Sequence, residues 1–198
     1  METKGSPKKT STFLSAFQLL LLTTNKNLGI YGQREKMKKN HEKIFPISLG
    51  IITVSSTRTK ETDISGLIIK DLLSKVNITC NYYDIVPDKK ELIIEKLKQA
   101  LKSVNCIITH GGTGLTYDDC TIEAIRPLFE KEIEGFGEIF RYLSFLEIGS
   151  AAMLSRATAG IFENKLIFCI PGSQKAVQLA TEKLIIPEIR HILSHILP

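Results

Sequence analysis

The chain has no tryptophan, only three methionines, and four cysteines in 198 residues. Those cysteines, Cys80, Cys106, Cys120 and Cys169, are scattered and form no Cys-x-x-Cys pair. That spacing argues against a zinc site or a disulfide framework and for a reducing, cytoplasmic compartment. No internal repeat is present. No apolar run approaches the roughly 20 residues that a membrane helix needs. The longest, residues 13–22, is ten residues behind Lys8-Lys9. It resembles a secretory signal, yet Thr-Thr-Asn-Lys-Asn follows it where an Ala-x-Ala-like cleavage site would stand. The net charge of +5 is unevenly placed. Residues 1–45 hold nine Lys/Arg against three Asp/Glu, whereas residues 46–198 hold 17 against 18. The basic excess therefore belongs to the first segment, and no nucleic-acid face is indicated on the rest. Residues 1–45 read as an N-terminal extension, a disordered tail or a start assigned upstream of Met37. Residues 46–198 read as one domain.

Within that domain the pattern is regular. Residues 47–54 form a near-continuous apolar run, as in a strand buried on both faces. Asp63-Ile64-Ser65-Gly66 opens a helix with Leu67, Ile68, Leu72 and Leu73 on its apolar face. Residues 78–86 are a second strand. Asp88 and Glu91 have capping-box spacing before a helix carrying Leu92, Ile93, Leu97 and Leu101. Residues 105–109 are a third strand. Helical patterns cover residues 121–129 and 137–155. Residues 160–162 and 166–170 read as strands around a Glu163-Asn164-Lys165 turn. Ser173 caps a helix through Leu184, and residues 189–196 form a last one. Strands alternating with helices predict an α/β fold: three αβα layers around a mostly parallel sheet.

The third strand runs into Gly111-Gly112-Thr113-Gly114. Asp118, Asp119 and Thr121 follow and are expected to open a helix. Glycines allow close backbone approach, and free N–H groups favour an anion. The flanking aspartates would repel a bare phosphate, so a divalent cation between them and the phosphate is implied. The loop has neither the Gly-Lys-Ser/Thr ending of a P-loop nor the dinucleotide fingerprint. Ser55-Ser56, Pro87-Asp88, the glycine loop and Pro171-Gly172-Ser173 all follow strand ends. In a parallel sheet they converge on one edge, where ligands bind. Ser55, Gly111, Gly112, Thr113, Gly114, Pro171, Gly172 and Ser173 are thus candidate phosphate-binding residues. His110 adjoins the loop and reads as structural.

These residues also carry a resemblance. Thr53-Val54-Ser55 with Arg58, Asp63-x-Ser65-Gly66, Gly111-Gly112-Thr113-Gly114-Leu115-Thr116 and Asp119-x-Thr121-x-Glu123-Ala124 occur in order. They are followed by Glu134-Gly135-Phe136-Gly137-Glu138, Arg141-x-x-Ser144, Glu147-Ile148-Gly149, Leu154-Ser155-Arg156-Ala157 and Pro171-Gly172-Ser173. From about residue 46 to 198 the chain resembles the MoaB/MogA family of molybdenum-cofactor biosynthesis, closer to its MoaB branch. The resemblance implies a MogA-like molybdopterin-binding fold. It implies a molybdopterin adenylyltransferase that joins molybdopterin to the AMP unit of ATP and releases pyrophosphate. It makes Asp88 and Asp119 the catalytic, Mg2+-holding pair and puts Ser144 at the pterin. Arg156 is grouped with Ser144, with a structural ion pair as its alternative. A homotrimer or homohexamer is implied as well. Phe140, Leu143, Phe145, Leu146 and Met153 are too many for one narrow helix face and could extend into a subunit contact, or they could all fill the monomer core.

The chain departs from the family pattern at His110, where Thr is common, at Ser56, and at Tyr117-Asp118, which replaces a frequent Pro-Arg. The last exchange moves the loop two charge units towards negative. It keeps a non-catalytic molybdopterin-binding carrier open as an alternative, and a general nucleotide-binding domain as a third.

Overall fold

The computed structural model describes residues 46–196, so the expectations for residues 1–45 lie outside the described residues. Six strands are present: β1 (Leu49–Val54), β2 (Cys80–Val86), β3 (Cys106–His110), β4 (Lys131–Glu132), β5 (Thr158–Phe162) and β6 (Lys165–Ile170). They form one sheet in the order β2-β1-β3-β6-β5-β4. The first four in that order are parallel, and β5 and β4 add an antiparallel edge. The chain runs from β1 to β2 on one side, then crosses to β3 on the other. This reversal opens a crevice between the carboxyl ends of β1 and β3.

Alternation along the strands divides the core. Leu49, Ile51, Cys106, Ile108, Leu166, Phe168 and Ile170 face one helical layer. Ile52, Val54, Ile107, Ile167 and Cys169 face the other. The first layer holds α1 (Ile64–Ser74), α4 (Glu134–Ile148) and the C-terminal helices. The second holds α2 (Lys90–Leu101) and α3 (Thr121–Ile125). Three αβα layers result, as the strand and helix alternation predicts. Phe136 and Phe168 lock α4 to the sheet with ring centroids 5.0 Å apart, a tilted pair worth about 1 kcal/mol beyond its buried area.

Several local readings change. The capping box at Asp88 and Glu91 does not form. Helix α2 starts at Lys90 behind an extended Lys89 with no side-chain cap, because the Asp88 carboxylate is bonded to Ser56 instead. Leu67 and Leu92 are exposed, and Ile69 and Ala100 take their places in the core. The helix expected at residues 137–155 begins at Glu134 and ends at Ile148, where Gly149 turns left-handed at φ 65°. A 3-10 segment, Gly149–Leu154, continues it. The β5–β6 turn is tighter than expected: Glu163 and Asn164 both have positive φ, and Lys165 pairs with Phe162. That is the hairpin geometry matching strand twist. Helix α5 (Gln174–Ala180), capped by Ser173, passes through a π turn at Thr181–Ile185 into α6 (Ile186–Ile196). Pro187 lacks the N–H that a regular turn requires, so the wide turn precedes it instead of a break.

The apolar residues of α4 and the 3-10 segment do not all fill the core. Phe140 is fully buried and Leu143 packs partly, but Phe145, Leu146 and Met153 are exposed, the last by 81%. Ile139, Tyr142 and Leu154 join them on the surface. Among the described residues, no helix is long and apolar enough to cross a membrane.

Candidate functional site

A cavity of about 560 Å³ opens where the carboxyl ends of β1, β3 and β6 meet. Its floor is bare backbone. The Gly111 amide donates to the Ile170 carbonyl at 3.1 Å. At φ 94°, a Cβ on Gly111 would lie 2.3 Å from the Val54 carbonyl oxygen. A Cβ on Gly172 would lie 2.9 Å from Gly111 Cα. Only glycine permits this approach of three strand ends.

Gly112, also left-handed, carries the chain to the rim. Thr121 latches the loop from behind. Its Oγ1 donates to Gly111 O at 2.7 Å and its amide to Gly112 O at 2.9 Å. The amides of Gly112 and Thr113 have no acceptor among the described residues. They are the donors available to an anion. The expected helix N-terminus is a smaller contributor: α3 has five residues, starts after Cys120 and has no side-chain cap.

Asp119 does not cap that helix. Its Oδ2 accepts from Thr116 N at 2.9 Å and from Thr116 Oγ1 at 2.6 Å. Burial raises the Asp119 pKa, but bonds from Thr116 and the Gly114 amide, with the Arg156 charge, outweigh it and hold the carboxyl below its usual range. Across the loop, Asp88 Oδ2 accepts from Ser56 N and Oγ, both at 2.8 Å. Asp88 Oδ1 lies 2.9 Å from where a Gly112 Cβ would be. Asp119 Oδ2 is likewise 2.7 Å from the Gly114 Cβ position. The two carboxylates therefore flank the glycine loop, and Asp88 Oδ1 has no hydrogen-bond partner among the described residues.

Ser55, Thr113, Pro171, Gly172, Ser173 and Ser144 also line the cavity. Ser55 Oγ accepts the amides of Thr57 and Arg58. Ser173 Oγ accepts from Ala176 N at 3.3 Å. Ser144 Oγ donates to Phe140 O at 2.8 Å, four residues back on its own helix, which leaves its lone pairs for a ligand. Arg156 is not among the residues lining this cavity. It pairs with Glu123 and donates to Gly114 O at 2.9 Å, so it braces the loop beside Asp119, as in the ion-pair alternative. Asp118 and Tyr117 are exposed.

Reading by motif missed Thr57, Glu147 and Lys175 and gave no role to Arg58, all of which line the cavity. Arg58 and Glu147 stand inside matched motifs, and Lys175 follows Ser173 by two, so a search for charges beside the turns would have found them. Beneath the floor lies a buried polar cluster. Asp63 Oδ2 accepts from Thr53 Oγ1 at 2.5 Å and Tyr83 OH at 2.9 Å, with His110 Nε2 at 3.5 Å. Its Oδ1 accepts from Gly66 N and from Arg58 Nη1. Burial raises its pKa, but hydrogen bonds from His110, Thr53 and Gly66 overcome that and hold it well below the carboxylate range. Burial, and after it the same carboxylate, pushes the Tyr83 phenol up. His110 is wholly buried, with Nδ1 unpartnered.

Among the described residues no three His, Cys, Asp or Glu side chains form a metal cage. Two flanking carboxylates do suit Mg2+ shared with a substrate's phosphates, since this ion keeps waters and takes one or two protein carboxylates.

Residues 50–191 match the family model described as a probable molybdopterin binding domain. Molybdenum cofactor biosynthesis protein B of Staphylococcus carnosus (strain TM300) is 52% identical over 151 residues, covering 74% of this chain and 89% of the relative. A crystal structure of a molybdenum cofactor biosynthesis protein B superposes with a TM-score of 0.74 at 46% identity, covering 77% of this chain and 98% of the other. The tungsten cofactor synthesizing protein MoaB from Pyrococcus furiosus superposes with a TM-score of 0.70 at 41% identity, with the same coverage. With its glycine floor and paired rim carboxylates, the chain belongs to the MoaB/MogA family of molybdopterin-binding proteins.

Proposed function

We propose that the protein works in molybdenum cofactor biosynthesis as a molybdopterin adenylyltransferase. A phosphate oxygen of molybdopterin attacks the α-phosphorus of ATP. The new P–O bond forms as the bond to the oxygen bridging α- and β-phosphorus breaks, and pyrophosphate leaves with that electron pair. The observation that supports this most is the juxtaposition of unpartnered Gly112 and Thr113 amides with Asp88 and Asp119 on either side. Asp88 and Asp119 would hold Mg2+, which neutralises phosphate charge when bound. The loop amides would receive a phosphate, and Ser144 would orient the pterin. The nucleophile is already ionised, so the site needs no general base, and alignment with electrostatic stabilisation carries the rate. Molybdenum and tungsten pathways are equally served, because the metal enters after this step.

The test is formation of adenylyl-molybdopterin from ATP and molybdopterin at saturating Mg2+. Absence of product overturns the reading. The exposed Asp118 beside Asp119 favours one second reading, a non-catalytic molybdopterin carrier. Calorimetry in which the pterin binds and ATP does not would select it.

The same reading extends to assembly. The exposed apolar side chains of α4 and the following 3-10 segment suit burial against further copies of the chain, as a homotrimer or a dimer of trimers.

A further inference from the structure

Arg58 joins the buried polar cluster to the cavity. Its Nη1 donates to Asp63 Oδ1 at 3.4 Å and its Nη2 to the Gly172 carbonyl at 3.2 Å. The Gly172 carbonyl also accepts from Ser65 Oγ at 2.8 Å. Arg58 therefore ties the loop after β1 to the loop after β6, across 114 residues of chain. Asp63 cannot swing away, because Thr53, Tyr83, His110 and Gly66 hold its two oxygens from β1, β2, β3 and α1. A guanidinium has five N–H donors. Two are used here, and the remaining three have no acceptor among the described residues. The side chain is 34% exposed and lines the cavity.

Charge makes that placement consequential. Three carboxylates, Asp88, Asp119 and Glu147, line the cavity against Arg58 and Lys175. Such a lining repels a polyphosphate unless a fixed cation offsets it. Lys175 is a point charge on a flexible stem, whereas Arg58 is a planar fork already held at two of its corners.

We infer that Arg58 binds the polyphosphate of the nucleotide, and that Asp63 is the positioning residue that aims it. The inference rests on the proposed ATP-dependent function for its ligand, but it can be tested apart from it. The probe is inorganic tripolyphosphate with Mg2+, titrated calorimetrically into the full chain. Arg58→Gln should weaken that binding on the order of thirtyfold, the fold-change of losing a charge-assisted hydrogen bond, and leave molybdopterin affinity unchanged. Arg58→Lys should recover only part, since it restores charge without the fork. Asp63→Asn should weaken tripolyphosphate binding several-fold with Arg58 present and not at all in the Arg58→Gln background, a non-additivity that general destabilisation does not produce.

Unchanged binding in a folded Arg58→Gln protein overturns the inference, as does a wild-type chain that binds no tripolyphosphate. Additive losses in the double variant overturn the role of Asp63. A wild-type protein that binds tripolyphosphate through Arg58 yet forms no adenylyl-molybdopterin would sink the proposed function and leave this inference standing. Normal adenylylation with Arg58 irrelevant to tripolyphosphate would do the reverse.

Discussion

The base and the rim of the cavity both carry aspartates, and the structure gives them opposite conditions. At the base, Asp63 is fully buried and receives donors on both oxygens. At the rim, Asp88 is pinned through Oδ2 alone by Ser56, and Asp119 is held by Thr116 at the cavity lining. A carboxylate whose lone pairs are all taken organises the protein around it. One pinned on a single side is oriented and still has an oxygen to offer a cation. Residue type does not separate the two roles; satisfaction of the lone pairs does.

The contrast is broken most severely at the base. Asp63→Ala would leave Thr53 and Tyr83 without the carboxylate that accepts from them and cut Arg58 back to its bond with Gly172. About 3 kcal/mol of stability should be lost, read from the urea midpoint. The same group predicts a pH dependence. Its folded pKa lies below the ordinary value of 3.8. The stability it contributes is therefore present above that value and lost as pH falls below it. The wild type should lose stability more steeply than Asp63→Asn below about pH 4. Parallel acid limbs would show that Asp63 is not depressed by its partners.

Next in size is the rim. Asp119→Asn should lower adenylylation on the order of a hundredfold, with molybdopterin affinity and stability nearly unchanged, because the lost charge acts in the transition state. Equal activity would reduce Asp119 to a loop brace. A smaller effect is expected from Glu123→Gln, which loosens the exposed bracing of Gly114 through Arg156. Stability should fall by less than about 1 kcal/mol, and any loss should appear in the KM for ATP. The least effect is expected from deleting residues 1–36. Light scattering and activity should match the full chain, since the family match begins at residue 50. A monomer or aggregate would make the extension part of the assembly.

Much of this was legible without coordinates. Apolar runs and turn residues recur at α/β intervals, so the strands, the layers and the glycine loop could be read directly. Ser173 was recognisable as a cap because capping is a contact three residues long. Asp88 fits the same local rule and breaks it, because Ser56 competes for its carboxylate from 32 residues away. The edge strand β4, two residues long, has no periodicity to detect. Leu67 and Ile69 differ only in which way the helix is turned against its neighbours, and that is settled by packing.

The sequence by itself determined the alternation of strands and helices, the family, the glycine floor and the absence of a cysteine framework, because each depends on residue type and short spacing. Tertiary structure alone decided that Asp63 lies at the base and Asp88 at the rim, that Arg156 pairs with Glu123, that Arg58 lines the cavity, and that Phe145, Leu146 and Met153 stay on the surface. Those outcomes depend on which donors, acceptors and apolar faces from distant segments meet one another. The pairing of Arg58 with Gly172 spans 114 residues, and no local pattern encodes a contact at that range.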